Sequence, residues 1–363
     1  MVRNLHTFVV AITMKLLFVG DIVLDRKIGF SQEFLEFARS HQYQIANFEA
    51  PIRGNGSPIP KAGVHIQSDP RFLPVLREAF NVLTVANNHT MDFGPNGLSS
   101  MKSAFQSHGF LTAGSGTTIE EAFTPLQLGN AYLFAVCENE FGGVTYESPG
   151  VAVFDHLRVL HSKIQEYKQK GPVIVCYHGG SEVIPIPQSY LRDRFQMLRD
   201  FGASLIIGHH PHVVQGYENN IFYSLGNFFC EGGKFSQYEN SEWALCVSYD
   251  TETNAYELRH VKTVDGKLEF TDKTDKLNAL NSLIQSPNYH KLSDQISKEL
   301  CIRWYLNNPT NQTAIWLHYF RCDAHRHNYS IGLSALHGET DATSKQHDIS
   351  ITHTDSFHIG FKK

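Results

Sequence analysis

Several apolar runs along the chain end in a polar cluster. LLFVG runs into Asp21, QIA into Asn47-Phe48-Glu49, VLTVA into Asn87-Asn88-His89, VIVCY into His178, and SLIIG into His209-His210-Pro211-His212. Each run has the length and composition of a short buried strand. Amphipathic stretches alternate with them. One covers 31–41 with Ser31 as N-cap, one opens at Asp69-Pro70, one leads from Gly94-Pro95-Asn96 to Gly109, and two more cover 155–169 and 188–201. A strand pair over 126–137 turns at Gly129-Asn130, IFYSLGNFF (221–229) reads as one further strand, and 244–272 as antiparallel strands. The alternation predicts an α/β protein with a central mixed sheet. The polar clusters would then gather at one sheet edge, outside the carboxyl ends of the strands, where α/β folds bind ligands.

The pattern also divides the chain. Residues 1–13 read as a disordered extension or a start-site artefact: FVVAI (8–12) is too short to span a bilayer, and Met14 would make a natural start. Residues 14–272 form the main domain. Residues 273–363 read as a helical appendage, with one or two helices over 278–306, followed by an irregular tail rich in Ser, Thr, Asp and His over the last forty residues. The expected location is cytoplasmic, at most peripheral to a membrane, with no signal peptide or transmembrane helix.

Composition narrows the class. At 363 residues with 42% hydrophobic and 18% charged residues, the chain is globular. A formal charge of −5 supplies no basic footprint for nucleic acid. Six cysteines without CxxC spacing fit reduced, mostly buried thiols.

The chemistry lies in the strand-end clusters, and each residue has a bland alternative. Asp21 could be a turn or cap aspartate. His210 and His212, paired across Pro211 with its fixed φ, could hold one ion or two adjacent ions, or belong to a polar loop; His209 is the less favoured ligand. His178 is followed by two glycines that let a ligand approach, or is a satisfied strand-end histidine. Asn88 offers an amide oxygen, His89 is suited to protonate a leaving group, and Asp92 to orient that imidazole, or the stretch is an Asx turn. Glu49 shares a strand face with Asn47 and could bridge two cations, or be a solvated glutamate. Imidazole, carboxylate and amide oxygen together suit one or two divalent ions (Mn, Zn or Fe) rather than Ca. Two such ions activate water and clamp a phosphoryl group.

In this order the residues resemble the CapA family of capsule and poly-γ-glutamate synthesis proteins, similar in fold to the calcineurin-like metallophosphoesterases. The likeness runs from Lys15 to Phe229 through GDIVLD (20–25), NFEAPI (47–52), LTVANNHTMDFG (83–94), YHGGSEVIPIP (177–187), GHHPHVVQGYE (208–218) and IFYSLGNFF (221–229). It implies a four-layer α/β/β/α sandwich. Asp21, Glu49, Asn88, His178, His210 and His212 would hold the metal. His89 and Asp92 would be catalytic, and Lys61, Glu182 and Asn227 would contact substrate. The wider phosphoesterase pattern has a histidine two residues after the first aspartate, where this chain has Val23, and an aspartate at the second site, where Asn47 and Glu49 stand.

The expected function is a metal-dependent hydrolase. Activated water would attack a phosphoester, or the amide of a γ-glutamyl polymer, in capsule or cell-surface polymer metabolism. The expected partners are an anionic polymer or phosphoester substrate and a membrane-bound polymer synthesis complex. One alternative is a non-catalytic accessory protein of such an assembly. Another is an α/β domain whose strand-end residues only cap helices and turns; Asp21, His178 and His212 lying more than about 10 Å apart would favour it.

Overall fold

The computed structural model describes residues 14–61, 63–230, 241–302 and 322–337. The 1–13 extension and the end of the tail lie outside the described residues. In chain order the first elements are β1 (Lys15–Ile22), β2 (Gly29–Phe30), α1 (Gln32–Arg39), β3 (Tyr43–Phe48), α2 (Leu73–Leu76), β4 (Val82–Thr84), α3 (Gly94–Ser107) and β5 (Leu111–Ala113). There follow β6 (Ser115–Gly116), α4 (Ile119–Ala122), β7 (Leu126–Leu128), β8 (Ala131–Cys137), β9 (Gly150–Val151), α5 (Leu157–Tyr167), β10 (Val173–His178), α6 (Ser189–Phe201) and β11 (Leu205–His209). The last are β12 (Tyr217–Glu218), β13 (Ile221–Phe222), β14 (Asn227–Phe229), β15 (Ala244–Asp250), β16 (Tyr256–Val264), β17 (Lys267–Thr271), α7 (Thr274–Ile284), α8 (Tyr289–Leu300) and a C-terminal helix, Asp323–His337.

The apolar pattern predicts one mixed sheet; the structure has two large ones. The first runs β2-β17-β16-β15-β1-β3-β4-β5, with β14 also paired to β1. The second runs β12-β13-β11-β10-β8-β7. A strand pattern reports which residues are buried but not which sheet they join, so the pattern alone merges the two. Alternation along the strands of the second sheet shows how they stack. Leu133, Ala135, Ile174, Cys176, Leu205 and Ile207 face a core shared with β1, β3 and β15. Phe134, Val136, Val173, Val175 and Ile206 face a separate core with Leu160 and Ile164 of α5 and Leu191, Phe195 and Leu198 of α6. Phe34 and Ala38 of α1 and Met101 and Phe105 of α3 pack on the first sheet. The order is therefore helix, sheet, sheet, helix.

Local signals place the helices. The Ser31 hydroxyl accepts from the Phe34 N–H and starts α1, and Gly202 stops α6 at φ 115°. Asp69-Pro70 opens a 3₁₀ turn that leads into α2. Two expectations fail. The stretch 323–337 is a helix rather than irregular chain. IFYSLGNFF is not one strand: β13 joins the second sheet and β14 the first. All six thiols are free. Among the described residues no helix is long and apolar enough to cross a membrane.

The crossing at 221–229 is what brings the two sheets together at their carboxyl ends. Asp21 N–H donates to Gly226 O, and Leu225 N–H donates to Gly208 O. A Cβ on Gly20 would lie 1.9 Å from Gly226 O, and one on Gly208 would lie 2.0 Å from Tyr223 O. These glycines precede Asp21 and His209 because the crossing backbone leaves no room for a side chain. We predict that Gly20→Ala costs about 3 kcal/mol through overpacking, read as a lower urea midpoint of the full chain. An unchanged midpoint would show that the crossing can move aside.

Candidate metal centre

Strand register sets the first half of the site. Asp21 on β1 pairs opposite Asn47 on β3, and Glu49 follows one residue beyond that strand. The turn after β4 is built by Asn87, whose Oδ1 accepts from the His89 and Thr90 N–H groups and whose amide donates to Phe48 O. Asn87 is thus the structural member of the pair, and Asn88 is left to face the site. From the second sheet, His178 on β10 stands beside His209 on β11. His210 and His212 then leave the strand with positive φ, 97° and 60°. That region is rare for residues with a Cβ, and strain of this kind collects at functional sites.

The side chains converge. His212 Nε2 lies 3.5 Å and His178 Nε2 3.9 Å from Glu49 Oε1. His212 Nδ1 lies 3.8 Å from Asp21 Oδ2. His210 Nδ1 and Asn88 Oδ1 are each 3.1 Å from His178 Nε2. Two triads have ligand atoms close enough to share an ion, Asp21–Glu49–His212 and Glu49–His178–His210. Glu49 belongs to both, the position of a bridging carboxylate. These distances are not the wide separation that would have favoured an ordinary domain whose strand-end residues only cap turns.

Other groups hold these in place. Asp21 Oδ1 accepts from Asn47 Nδ2 at 2.8 Å and pairs with His209 Nδ1 at 2.9 Å, while its Oδ2 accepts from the His210 backbone N–H. His209 therefore orients Asp21. Asn227, expected at the substrate, instead sets its Oδ1 2.8 Å from His212 Nδ1, which turns Nε2 toward Glu49. Asp92 accepts from Lys61 through Oδ1, and its Oδ2 takes His89 Nδ1 at 2.8 Å and the Ile66 N–H. The ammonium of Lys61 is thus held by Asp92 at the wall of the cleft. This cleft, about 270 Å³, is lined by Lys61, Asn88, His89, Glu140, Glu182 and His210 among others. Glu138 and Glu140 escaped the sequence reading, although the run YLFAVC-Glu138-Asn139-Glu140 has the same strand-then-polar form as the runs that were read. Glu140 Oε2 accepts from Asn88 Nδ2 at 2.7 Å.

Electrostatics test whether a cation fits. Glu49 is 1% exposed, and its Oε2 has no hydrogen-bond partner. Burial, reinforced by the charges of Asp21, Glu182 and Asp92 and opposed by His212, pushes its carboxyl up to about 8. Burial also works to raise Asp21, but the hydrogen bond and charge of His209, with His178 and His212, hold it well below the usual carboxylate range. Burial lowers His178 and His210, which favours their neutral forms. Burial works to lower His212 as well, but the charges of Glu49, Glu182 and Asp21 hold it up. A buried carboxylate with an unsatisfied oxygen, beside the imidazoles of His178, His210 and His212, is a donor set suited to a divalent transition metal.

The family model for bacterial capsule synthesis proteins, PGA_cap, matches residues 15–231. The chain belongs to that family. The PGA biosynthesis protein CapA of Bacillus subtilis is 29% identical over 241 residues, 60% of this chain and 63% of the relative. The capsule biosynthesis protein CapA of Bacillus anthracis is 26% identical over 247 residues, 59% of each chain. This PGA_cap chain thus spans about 60% of the length of these curated relatives. The solved structure of TT1561 of Thermus thermophilus aligns with 68% of the chain and 98% of its own at 11% identity, with a TM-score of 0.37.

The raised Glu49 carboxyl has a consequence for stability. Native Glu49 keeps its proton up to about pH 8, whereas the unfolded chain releases it near 4.5. Its contribution is fully present below pH 4.5 and is lost as pH rises through 8. His178 and His210, depressed in the fold, act in the opposite sense below about 6.5. Glu49→Gln isolates the first effect. In chelator-treated protein, stability relative to wild type should improve steadily between pH 5 and 8, read by urea unfolding. A difference that stays flat with pH would mean that Glu49 is ionised without a cation.

Proposed function

We propose that this PGA_cap protein is a metal-dependent hydrolase of capsule or cell-surface polymer metabolism, acting on a phosphoester or on the amide of a γ-glutamyl polymer. The observation that carries the reading is Glu49: one buried carboxylate, with an orphan oxygen, shared by two ligand triads. Asp21, Glu49 and His212 would hold one divalent ion, and Glu49, His178, His210 and the Asn88 oxygen a second. Mn, Zn or Fe fit these donors. Bound there, such ions activate water and neutralise charge on the substrate.

The chain's own groups do the rest. With Nδ1 donating to Asp92, His89 presents Nε2 at the cleft, where a leaving group can take a proton. Nδ1 is assigned the proton because Asp92 Oδ2 at 2.8 Å lies closer to it than Lys61 Nζ at 3.2 Å. Asp92 fixes the ring, and Lys61 fixes Asp92. Glu182 lines the same cleft, where it can receive a donor from the substrate. In this reading the partner is a membrane-bound polymer synthesis assembly, served from the cytoplasmic side.

A second reading, an accessory protein that binds rather than turns over, is favoured by the apolar Val23 beside Asp21. Metal analysis and a chromogenic phosphodiester assay separate the two. We expect bound Mn or Zn with turnover, loss of both metal and turnover in His210→Ala, and about 10²-fold lower kcat with metal retained in His89→Ala. Folded protein that binds metal without hydrolysing phosphodiesters or γ-glutamyl amides would support the accessory role.

A further inference from the structure

We propose that the C-terminal helix Asp323–His337 is a wall of the substrate cleft and that His325 on it is a substrate-positioning residue. The proposal rests on the hydrolase reading of the same site. The helix lies outside the family match, which ends at residue 231. Even so, it is fastened to the loop that follows His178. Arg194 pairs with Asp323 and reaches Glu138 at 3.4 Å. Glu138 Oε1 accepts from the Ala324 N–H at 3.0 Å, and its Oε2 accepts from the Gly180 N–H at 2.8 Å. One buried carboxylate therefore holds both the helix and the loop. One turn further along the helix, fully buried Asn328 donates to Ser181 Oγ at 2.9 Å.

This docking delivers His325 into the cleft that also contains His89, Glu182 and His210. His325 Nε2 lies 3.9 Å from Glu140 Oε1. Glu140 in turn accepts from Asn88, and Asn88 meets His178. His325 is not in either ligand triad. The N–H donors at the cleft include the Lys61 ammonium, which also bonds Asp92, and the imidazoles of His89, His210 and His325. His325 supplies one of them from outside the two sheets.

The test uses the full chain loaded with Mn²⁺ and a chromogenic phosphodiester. His325→Ala should raise KM about tenfold, the loss of roughly one hydrogen bond to a charged group. kcat should change far less, and Mn²⁺ affinity by calorimetry should stay the same. His325→Gln, which keeps an N–H donor, should recover most of the KM. An unchanged KM in both His325→Ala and the bulkier His325→Trp would overturn the proposal. Absence of turnover in the wild-type chain would sink the hydrolase reading alone, and calorimetry with inorganic phosphate on the Mn²⁺ protein then decides this one. Binding about tenfold weaker in His325→Ala supports it; equal binding, or none in either protein, overturns it.

Discussion

Two carboxylates with almost no access to water, Asp21 and Glu49, sit a few ångströms apart at the junction of the two sheets. Burying such groups is costly unless charge and hydrogen bonds answer them. The surroundings of each answer differently. Asp21 has an amide donor, a backbone N–H and an imidazole, and stays ionised. Glu49 has imidazoles at 3.5 and 3.9 Å and one oxygen with nothing at all. A site satisfied on one side and deficient on the other is what a cation would complete. The positions of Asn47, His209 and Asn227 make sense as the scaffolding of that deficiency, since each orients a residue that faces Glu49 or Asp21.

The deficiency can exist only because the fold brings five strand ends to one place. The three parallel strands β1, β3 and β4 deliver Asp21, Glu49 and Asn88, and β10 and β11 deliver the imidazoles. The chain from β13 to β14 passes between the sheets at that point, against Gly20 and Gly208. Packing, register and chemistry are therefore linked: the residues before Asp21 and His209 are glycines because the crossing chain lies on them, and the crossing chain carries Asn227, which turns His212.

Most of the donor set was legible in the sequence because buried strands give clear apolar runs and their ends are marked by polar residues. The helix boundaries were legible for a similar reason, through Ser31, Pro70 and Gly202. Three things were not. The split into two sheets was hidden because burial does not specify partners; it came only with the family resemblance. The roles of Asn227 and His209 were hidden because orienting and ligating histidines or amides share the same local sequence. The C-terminal helix was hidden because its buried positions are Ala324, Asn328 and Gly332 rather than a stripe of large apolar residues, so helical periodicity was faint.

The departure at Val23 weighs unequally on the two triads. It falls next to Asp21, whose triad has two carboxylates and a single imidazole, with His209 Nδ1 already engaged by Asp21 itself. The other triad has two imidazoles and the Asn88 oxygen beside Glu49. An apolar residue at 23 therefore thins the position that is already poorer in nitrogen donors and leaves the richer one untouched. His89, Asp92 and Lys61 also gather near Asn88, on the richer side. The groups that could move a proton thus stand with the better-furnished position, and the sequence departure removes nothing from that half of the site.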